Sequence, residues 1–396
     1  MKNADAINDA IKIYYLGIEN EFKLDNHAMI KDDVDMNGYV IARYLKARNY
    51  IKNNRMVPHI LKVIIKLWWA IHLIVTMINF TKTFVRSVLN QNKKVLKHEE
   101  IFVLGNNRAY SIFERLKGDH SVLYLSVPWV KIPHGNNIAK TISIFDILEN
   151  NDIIWALRRS LNIRKTHKKK FASINQSITL QTYDSFNWFL LYRVLEKIEP
   201  SCIWFINHYD RWAIMYDSIH GKSSKKQIQH GIIDKEILIP NKLKNVEECY
   251  CLDAESIEIF KTNYHDNTNK KTIYKIVNNC LKLLDTGISK SILFIGGPFD
   301  SEHEKSIINK ISKELKEYTI FIKPHPSYPI KFYSNLEKDN IVIIKEKDFY
   351  PIVKFAVSYR STLAYDYEKH RIPVVYHEGK TQEAIIIEIN GIDKNQ

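Results

Sequence analysis

The chain has 396 residues, 45% of them hydrophobic and 12% aromatic. That is enough apolar material for two packed domains and excludes a disordered chain of low hydrophobicity and high charge. Lys and Arg number 58 against 44 Asp and Glu, a formal net charge of +14 that favours anionic partners such as phosphorylated small molecules, acidic glycans or a membrane surface.

Nucleic acid fits the charge alone. No RNP, KH or helix-turn-helix pattern accompanies it, so nucleic acid is not an expected partner.

Residues 1–100 read as helical, without strand alternation. The opening MKNADAINDAIKIYY has no basic tip leading an apolar core, so it does not read as a secretory leader, and a reducing cytoplasm fits. Residues 60–80, ILKVIIKLWWAIHLIVTMINF, approach the ~20 residues that span a bilayer but are interrupted by Lys62, Lys66 and His72. Lys82, Arg86, Lys93, Lys94 and Lys97 follow, and Trp68 and Trp69 suit an interface. Three readings stay open: a helix lying on an anionic membrane surface, a buried helix of the fold, and a span. A second basic run, Arg158 through Lys170, either touches anionic lipid or is a solvated loop.

From residue 101 strands alternate with helices. IFVL at 101–104 closes on Gly105, a helical stretch follows, and SVLYLSV at 121–127 is the next strand. Asp184 is placed to cap a helix whose Phe186, Phe189, Leu190, Leu195 and Ile198 recur at helical spacing before Pro200. CIWFI is a strand at 202–206, HYDRWAIMYDSI a helix, and KQIQ a short strand leading to His230-Gly231. ECYCL and AESIEIFKTNY open the second half, followed by a polar stretch at 262–280. SILFIGG, YTIFI, NIVII, KFAVS and IPVVYH are then strands, with helices at SEHEKSIINKISKEL and STLAYDYEKH.

This order predicts an α/β protein of parallel βαβ units in two doubly wound halves. A helical region at 1–100 precedes one Rossmann-like domain at 101–245 and another at 246–396. Cys202, Cys249, Cys251 and Cys280 lack zinc-ligand spacing and read as buried, reduced thiols.

Open α/β sheets bind ligands beyond the carboxyl ends of their strands. Four such ends carry unusual residues. Gln229-His230-Gly231 is a turn that points His230 into the crevice, and Gly296-Gly297-Pro298 lets backbone approach a ligand. In KPHPSYP, two prolines restrict His325, and alternation in an extended segment points Lys323 and His325 the same way. Ser358-Tyr359-Arg360-Ser361-Thr362 ends a strand and opens a helix, so Ser361, Thr362 and the helix N–H groups form a phosphate site. Asp366 lies within two turns of that helix start, in reach of a ribose hydroxyl.

Each end also has a plain reading, as a helix cap, a turn or a packed histidine. The chain has no GxxxxGK[ST] or GxGxxG loop and no DxD-like pair at a strand end. Histidine, lysine and a helix N-terminus would then neutralise a leaving phosphate without a metal.

The series QHG, a strand ending Gly-Gly, KPHP and SYRSTLAYDYEKHRIPVV resembles, over about residues 200–380, the bacterial surface-polysaccharide transferases of GT-B fold. These include capsule sialyltransferases, Kdo transferases and CDP-glycerol glycerophosphotransferases. The resemblance implies a metal-independent inverting glycosyltransferase with no cofactor. Its site between the two halves would take a nucleotide-sugar donor, most simply a CMP-linked acidic sugar.

The acceptor implied is a capsule, lipopolysaccharide or similar lipid-linked glycan, at the cytoplasmic face of the inner membrane. Carried over by position, His325 and the hydroxyls of Ser358, Ser361 and Thr362 contact the donor phosphate, and His230 is a general base. The acidic D/E-D/E-G motif that carries the base in sialyltransferases is not evident, so Asp210 and Asp234 are rivals to His230. The alternatives implied are glycerol- or ribitol-phosphate transfer from a CDP donor and a non-catalytic assembly subunit.

Overall fold

The computed structural model describes residues 2–32, 57–90, 94, 97, 99–103, 107–118, 121–129, 141–171, 181–219, 222–233, 235–268, 271–277, 281–297, 301–325, 330–346 and 349–394. Asp234, Cys280, Pro298 and the stretch 326–329 of KPHPSYP lie outside the described residues. The chain divides into two compact units, Met1–Val277 and Asn278–Gln396.

The first unit is built on a seven-stranded sheet in the order β3-β2-β1-β4-β5-β6-β7. Its strands are β1 Glu100–Val103, β2 Leu123–Ser126, β3 Thr141–Ser143, β4 Cys202–Phe205, β5 Ser224–Ile228, β6 Glu248–Cys251 and β7 Ile273–Ile276. All the pairings are parallel. Alternate residues divide between its faces. Ile101, Val103, Ile203, Phe205, Cys249 and Cys251 join one core, while Phe102, Trp204, Ile228 and Tyr250 join the other.

Helices α1 Lys2–Asp32, α2 Val57–Leu89, α3 Asn107–Leu116, α4 Asn150–Phe171, α5 Ser185–Ile198, α6 Arg211–Ser218 and α7 Ala254–Ile259 cover the sheet. A π-helical turn, Phe260–Tyr264, continues α7. Cys202, Cys249 and Cys251 are all free and buried.

Three features differ from the sequence reading. The division falls after Val277 rather than at 245, because β6 pairs with β5 (Gln227 beside Cys249) and β7 pairs with β6. Strand β7 lies in the polar stretch, where Ile273 and Ile276 are exposed on a sheet edge, so no alternating pattern marks it. The basic run from Arg158 to Lys170 is helix, not loop, since α4 runs through it and buries Ile153, Ala156 and Ile163. Lys and Arg are good helix formers, so the charge does not interrupt it.

The described helices of the N-terminal region, α1 and α2, belong to the first unit rather than to a domain of their own. Ala10, Tyr14, Tyr15 and Ile18 of α1 enter the main core. Gly17 lets α1 cross α6 closely, since a Cβ there would lie 2.2 Å from the Arg211 Cα. Buried Arg211 donates from Nε to Glu21 at 2.9 Å and from its terminal nitrogens to Glu21, Asp184, the Tyr14 hydroxyl and Gln181. Asp184 therefore does not cap α5 through its side chain. It pairs with Arg211 instead.

The second unit carries a five-stranded parallel sheet, β10-β9-β8-β11-β12. Its strands are β8 Ser291–Ile295, β9 Thr319–Lys323, β10 Ile341–Ile343, β11 Phe355–Ser358 and β12 Val374–Tyr376. Helices α8 Ser301–Glu314 and α10 Gln382–Lys394 cover one face and α9 Thr362–Lys369 the other. Each unit is thus a Rossmann-like, doubly wound layer structure, the pair that the sequence predicts.

Both sheets reverse winding direction once, between β1 and β4 in the first and between β8 and β11 in the second. Such switch points open a crevice at the carboxyl ends of the strands.

Candidate functional site

In the first unit the strands beside the switch point deliver a histidine cluster. Buried Gln229 ties down the turn after β5: its amide donates to Gly231 O at 2.9 Å and Ser256 Oγ at 3.0 Å, and its Oε1 accepts from Leu252 N at 2.8 Å. His230 follows, with Nδ1 3.0 Å from Ile206 O at the end of β4. A carbonyl only accepts, so Nδ1 carries the proton and the basic lone pair of the neutral ring is on Nε2. The His208 ring lies 4.8 Å from that of His230, and His208 Nε2 faces the His230 backbone N–H at 3.5 Å.

Gln227 donates to Asn207 O at 2.7 Å and His208 O at 3.2 Å, and its Oε1 is 2.8 Å from His265 Nε2. His265 Nδ1 is 2.9 Å from the Tyr274 hydroxyl. A chain of polar side chains from β5 and β7 therefore holds the loop after β4 in place beside His230.

Asp210, the other candidate on that loop, is a helix cap. Its Oδ1 accepts from Trp212 N and Ala213 N, both at 3.0 Å, and its Oδ2 accepts from the Asn207 amide at 2.8 Å.

Burial drives His208 and His265 toward neutrality. It lowers His208 well below its usual pKa, with the nearby His230 and His265 adding to the effect, and it lowers His265 to about 3. His72 of α2 is likewise lowered by burial to about 4. In the unfolded chain all three bind protons below about 6.5. Their stabilising effect is therefore complete above that pH and is lost as acid is added.

Asp184 and Asp217 act in the opposite sense, since burial raises both, Asp184 to about 6. They offset part of the loss. Thermal melts between pH 7 and 5 should show stability falling with acid. His265→Gln should flatten the slope by about 1 kcal/mol per pH unit on average over that range. A slope identical in the variant would remove His265 from this account.

In the second unit the ends of β8, β9 and β11 meet at the switch point. Gly296 and Gly297 follow β8, and a Cβ on Gly296 would lie 2.7 Å from the Tyr333 hydroxyl and 3.4 Å from His325 N. A Cβ on Gly297 would lie 2.8 Å from Glu304 Oε1 and 3.0 Å from Tyr359 Cδ1. The glycines are thus required by the close approach of protein groups. Their N–H groups are also engaged by the protein, Gly296 N with Lys323 O at 2.9 Å and Gly297 N with Glu304 Oε1 at 2.5 Å.

His325 is half-buried, its ring 6.4 Å from that of Tyr359, and burial lowers its pKa, which favours the neutral ring. Lys323 turns to other company: its ammonium donates to Glu346 O at 2.6 Å and Phe349 O at 3.2 Å and lies over the Tyr350 ring.

Ser358 is fully buried and donates to Tyr359 O at 2.6 Å, 3.2 Å from the Ser361 hydroxyl. Ser361 caps α9 by accepting from Ala364 N at 3.1 Å. Thr362, half-buried, is the first residue of that helix, whose leading N–H groups have no acceptor within the helix. Asp366, one turn on, is buried.

Among the described residues, no group of three or more His, Cys, Asp and Glu side chains is placed to hold a metal ion.

No family model matches the chain, and no curated protein matches it. Among solved structures, the glycosyltransferase SnogD from Streptomyces nogalater is similar, with 7% identity and a TM-score of 0.39, over 75% of this chain and 86% of that one. At that distance the likeness transfers no residue roles, and the site is defined by this chain's own geometry.

Sequence reasoning missed several residues around these sites. His208 stands two positions before Asp210 in NHYDRW, and Gln227 alternates with Gln229 in KQIQ; that spacing was the available signal. Glu304, which holds Gly297 and accepts from the Tyr333 hydroxyl at 2.5 Å, carries no signal beyond its place in the first turn of α8.

Proposed function

We propose that this protein is a metal-independent, inverting glycosyltransferase. In this reading it moves a sugar from a nucleotide donor to a surface glycan, and its second unit takes the donor. The observation that carries the reading is the set of groups at the β8/β11 switch point: His325, the Ser358–Ser361 hydroxyl pair and the start of α9 at one end of one sheet. Because the Ser358 proton goes to Tyr359 O, it is His325, the Ser361 hydroxyl and the positive helix end that this reading offers to a phosphate. His230, with its basic lone pair on Nε2, would take the proton from the acceptor hydroxyl.

The donor proposed is CMP-linked and acidic. The acceptor proposed is a capsule or lipopolysaccharide-like glycan at the cytoplasmic face of a membrane. A second reading, glycerol- or ribitol-phosphate transfer from a CDP donor, uses the same residues. It is favoured by the pairing of two strand-end histidines without an acidic base motif.

Thermal stabilisation by CMP, CDP, UDP and GDP tests the donor side. A ligand at a hundred times its Kd adds about 2.7 kcal/mol to stability. CMP or CDP should raise the Tm of the wild type, and His325→Ala should lose most of that rise. A response to UDP alone, or an unchanged response in His325→Ala, would overturn the donor assignment.

A further inference from the structure

Helix α2 carries apolar residues on two sides. Its inward side mixes aromatic and polar groups: Trp69, Phe80 and Phe84 pack on the core, Trp68 Nε1 donates to Thr182 Oγ1 at 3.0 Å, His72 Nε2 lies 3.0 Å from Ser185 Oγ, and Ser87 Oγ donates to Leu148 O at 3.2 Å. Thr76 and Thr83 are buried on the same side. Its outward stripe is apolar, with Leu67, Ile74, Ile78 and Val85 each 48–59% exposed. A soluble protein normally turns such a stripe inward, and an uncovered apolar band of this length marks a contact surface.

The charge on the helix decides which contact. Its 33 residues contain no Asp or Glu, while Lys66, Lys82 and Arg86 are exposed along it and Lys94 and Lys97 are exposed just beyond it. A second copy docked by the same face would set cation against cation, with no carboxylate on this helix to compensate. An anionic bilayer surface satisfies both halves of the pattern, because acyl chains receive the aliphatic stripe and headgroups receive the lysines.

The inward hydrogen bonds and aromatic packing of α2 also fix its orientation. No helix among the described residues is long and apolar enough to cross a membrane. Pulling α2 out of the fold to enter one would leave buried hydrogen-bonding groups unmatched. We infer that the outer face of α2 is a docking surface for anionic lipid, with the helix lying in the plane of the interface.

This inference stands apart from the transferase reading, and its test needs no donor. Sedimentation with vesicles of phosphatidylcholine alone, and of phosphatidylcholine with phosphatidylglycerol, measures it directly. The wild type should bind the anionic vesicles and bind the neutral ones far less. The variant Leu67→Glu/Ile74→Glu/Ile78→Glu changes only exposed positions, so circular dichroism and Tm should match the wild type while vesicle binding drops below detection.

Lys66→Gln/Lys82→Gln, which leaves the apolar stripe intact, should weaken binding about five-fold per lysine. Failure of the wild type to bind either vesicle would overturn the inference, as would full binding by both variants. A dimer in light scattering that the triple variant dissolves, without vesicle binding, would assign the face to a second copy instead.

Discussion

His230→Ala is expected to lower kcat by about 10²–10⁴-fold, the usual contribution of a positioned general base, while leaving nucleotide-induced thermal stabilisation as in the wild type. The separation of effects follows from placement: His230 is on the first unit's sheet, and the proposed phosphate groups are on the second unit's. The carbonyl of Ile206 holds the proton on Nδ1, which keeps Nε2 in its acceptor form.

Asp210 supplies the contrast. Its carboxylate caps α6, so Asp210→Ala should cost about 1 kcal/mol of stability through loss of the cap, with kcat reduced far less than in His230→Ala. Rates are to be measured with the donor class that the nucleotide screen selects. Full turnover in His230→Ala, or abolished turnover in Asp210→Ala at unchanged Tm, would move the base to Asp210.

The second large effect concerns the fold. Arg211→Met should destabilise the protein by about 3–5 kcal/mol at pH 7, the loss seen when one partner of a buried ion pair is removed. The substitution leaves Glu21 and Asp184 buried, facing each other without a cation. Asp184→Asn should cost much less, because Arg211 retains Glu21 and the cluster loses only its surplus negative charge.

Burial raises Asp184 to about 6 in the wild type against the pull of Arg211, and without Arg211 its carboxyl should bind a proton more readily still. The gap between Arg211→Met and wild type should therefore narrow from pH 7 to pH 5, as urea unfolding at each pH will show. Equal stability of Arg211→Met and wild type at pH 7 would refute the central role of this cluster.

The comparison of sequence with structure turns on particular elements. Central strands such as β4, β8 and β11 are legible because they are buried on both faces and read as short apolar runs between turn signals. The edge strands β3 and β7 are not, since an edge needs no apolar alternation to hold its hydrogen bonds. The division between the units falls later than the sequence predicts for the same reason, because the strand that completes the first sheet lies in a polar stretch.

At the sites, local chain chemistry marked His230, His325 and the Ser361 cap. It left unread which partner each would take. Lys323 and His325 share a face by alternation, yet one is taken up by Glu346, Phe349 and Tyr350 and the other lies beside Tyr359. Gly296 and Gly297, which the sequence marks as an opening for a ligand, are also where Tyr333, Tyr359 and Glu304 close in.

The sequence by itself determined the βαβ rhythm, the winding into two halves and the residue types at the strand ends, because these depend on local periodicity and turn chemistry. The tertiary structure alone decided that Gln227 and His265 hold the segment carrying His208 beside His230 and that Arg211 joins three segments far apart in sequence. It also decided which side of α2 turns inward. Helical periodicity shows that a helix has two faces; only the neighbours at Thr182, Ser185 and Leu148 say which one is buried.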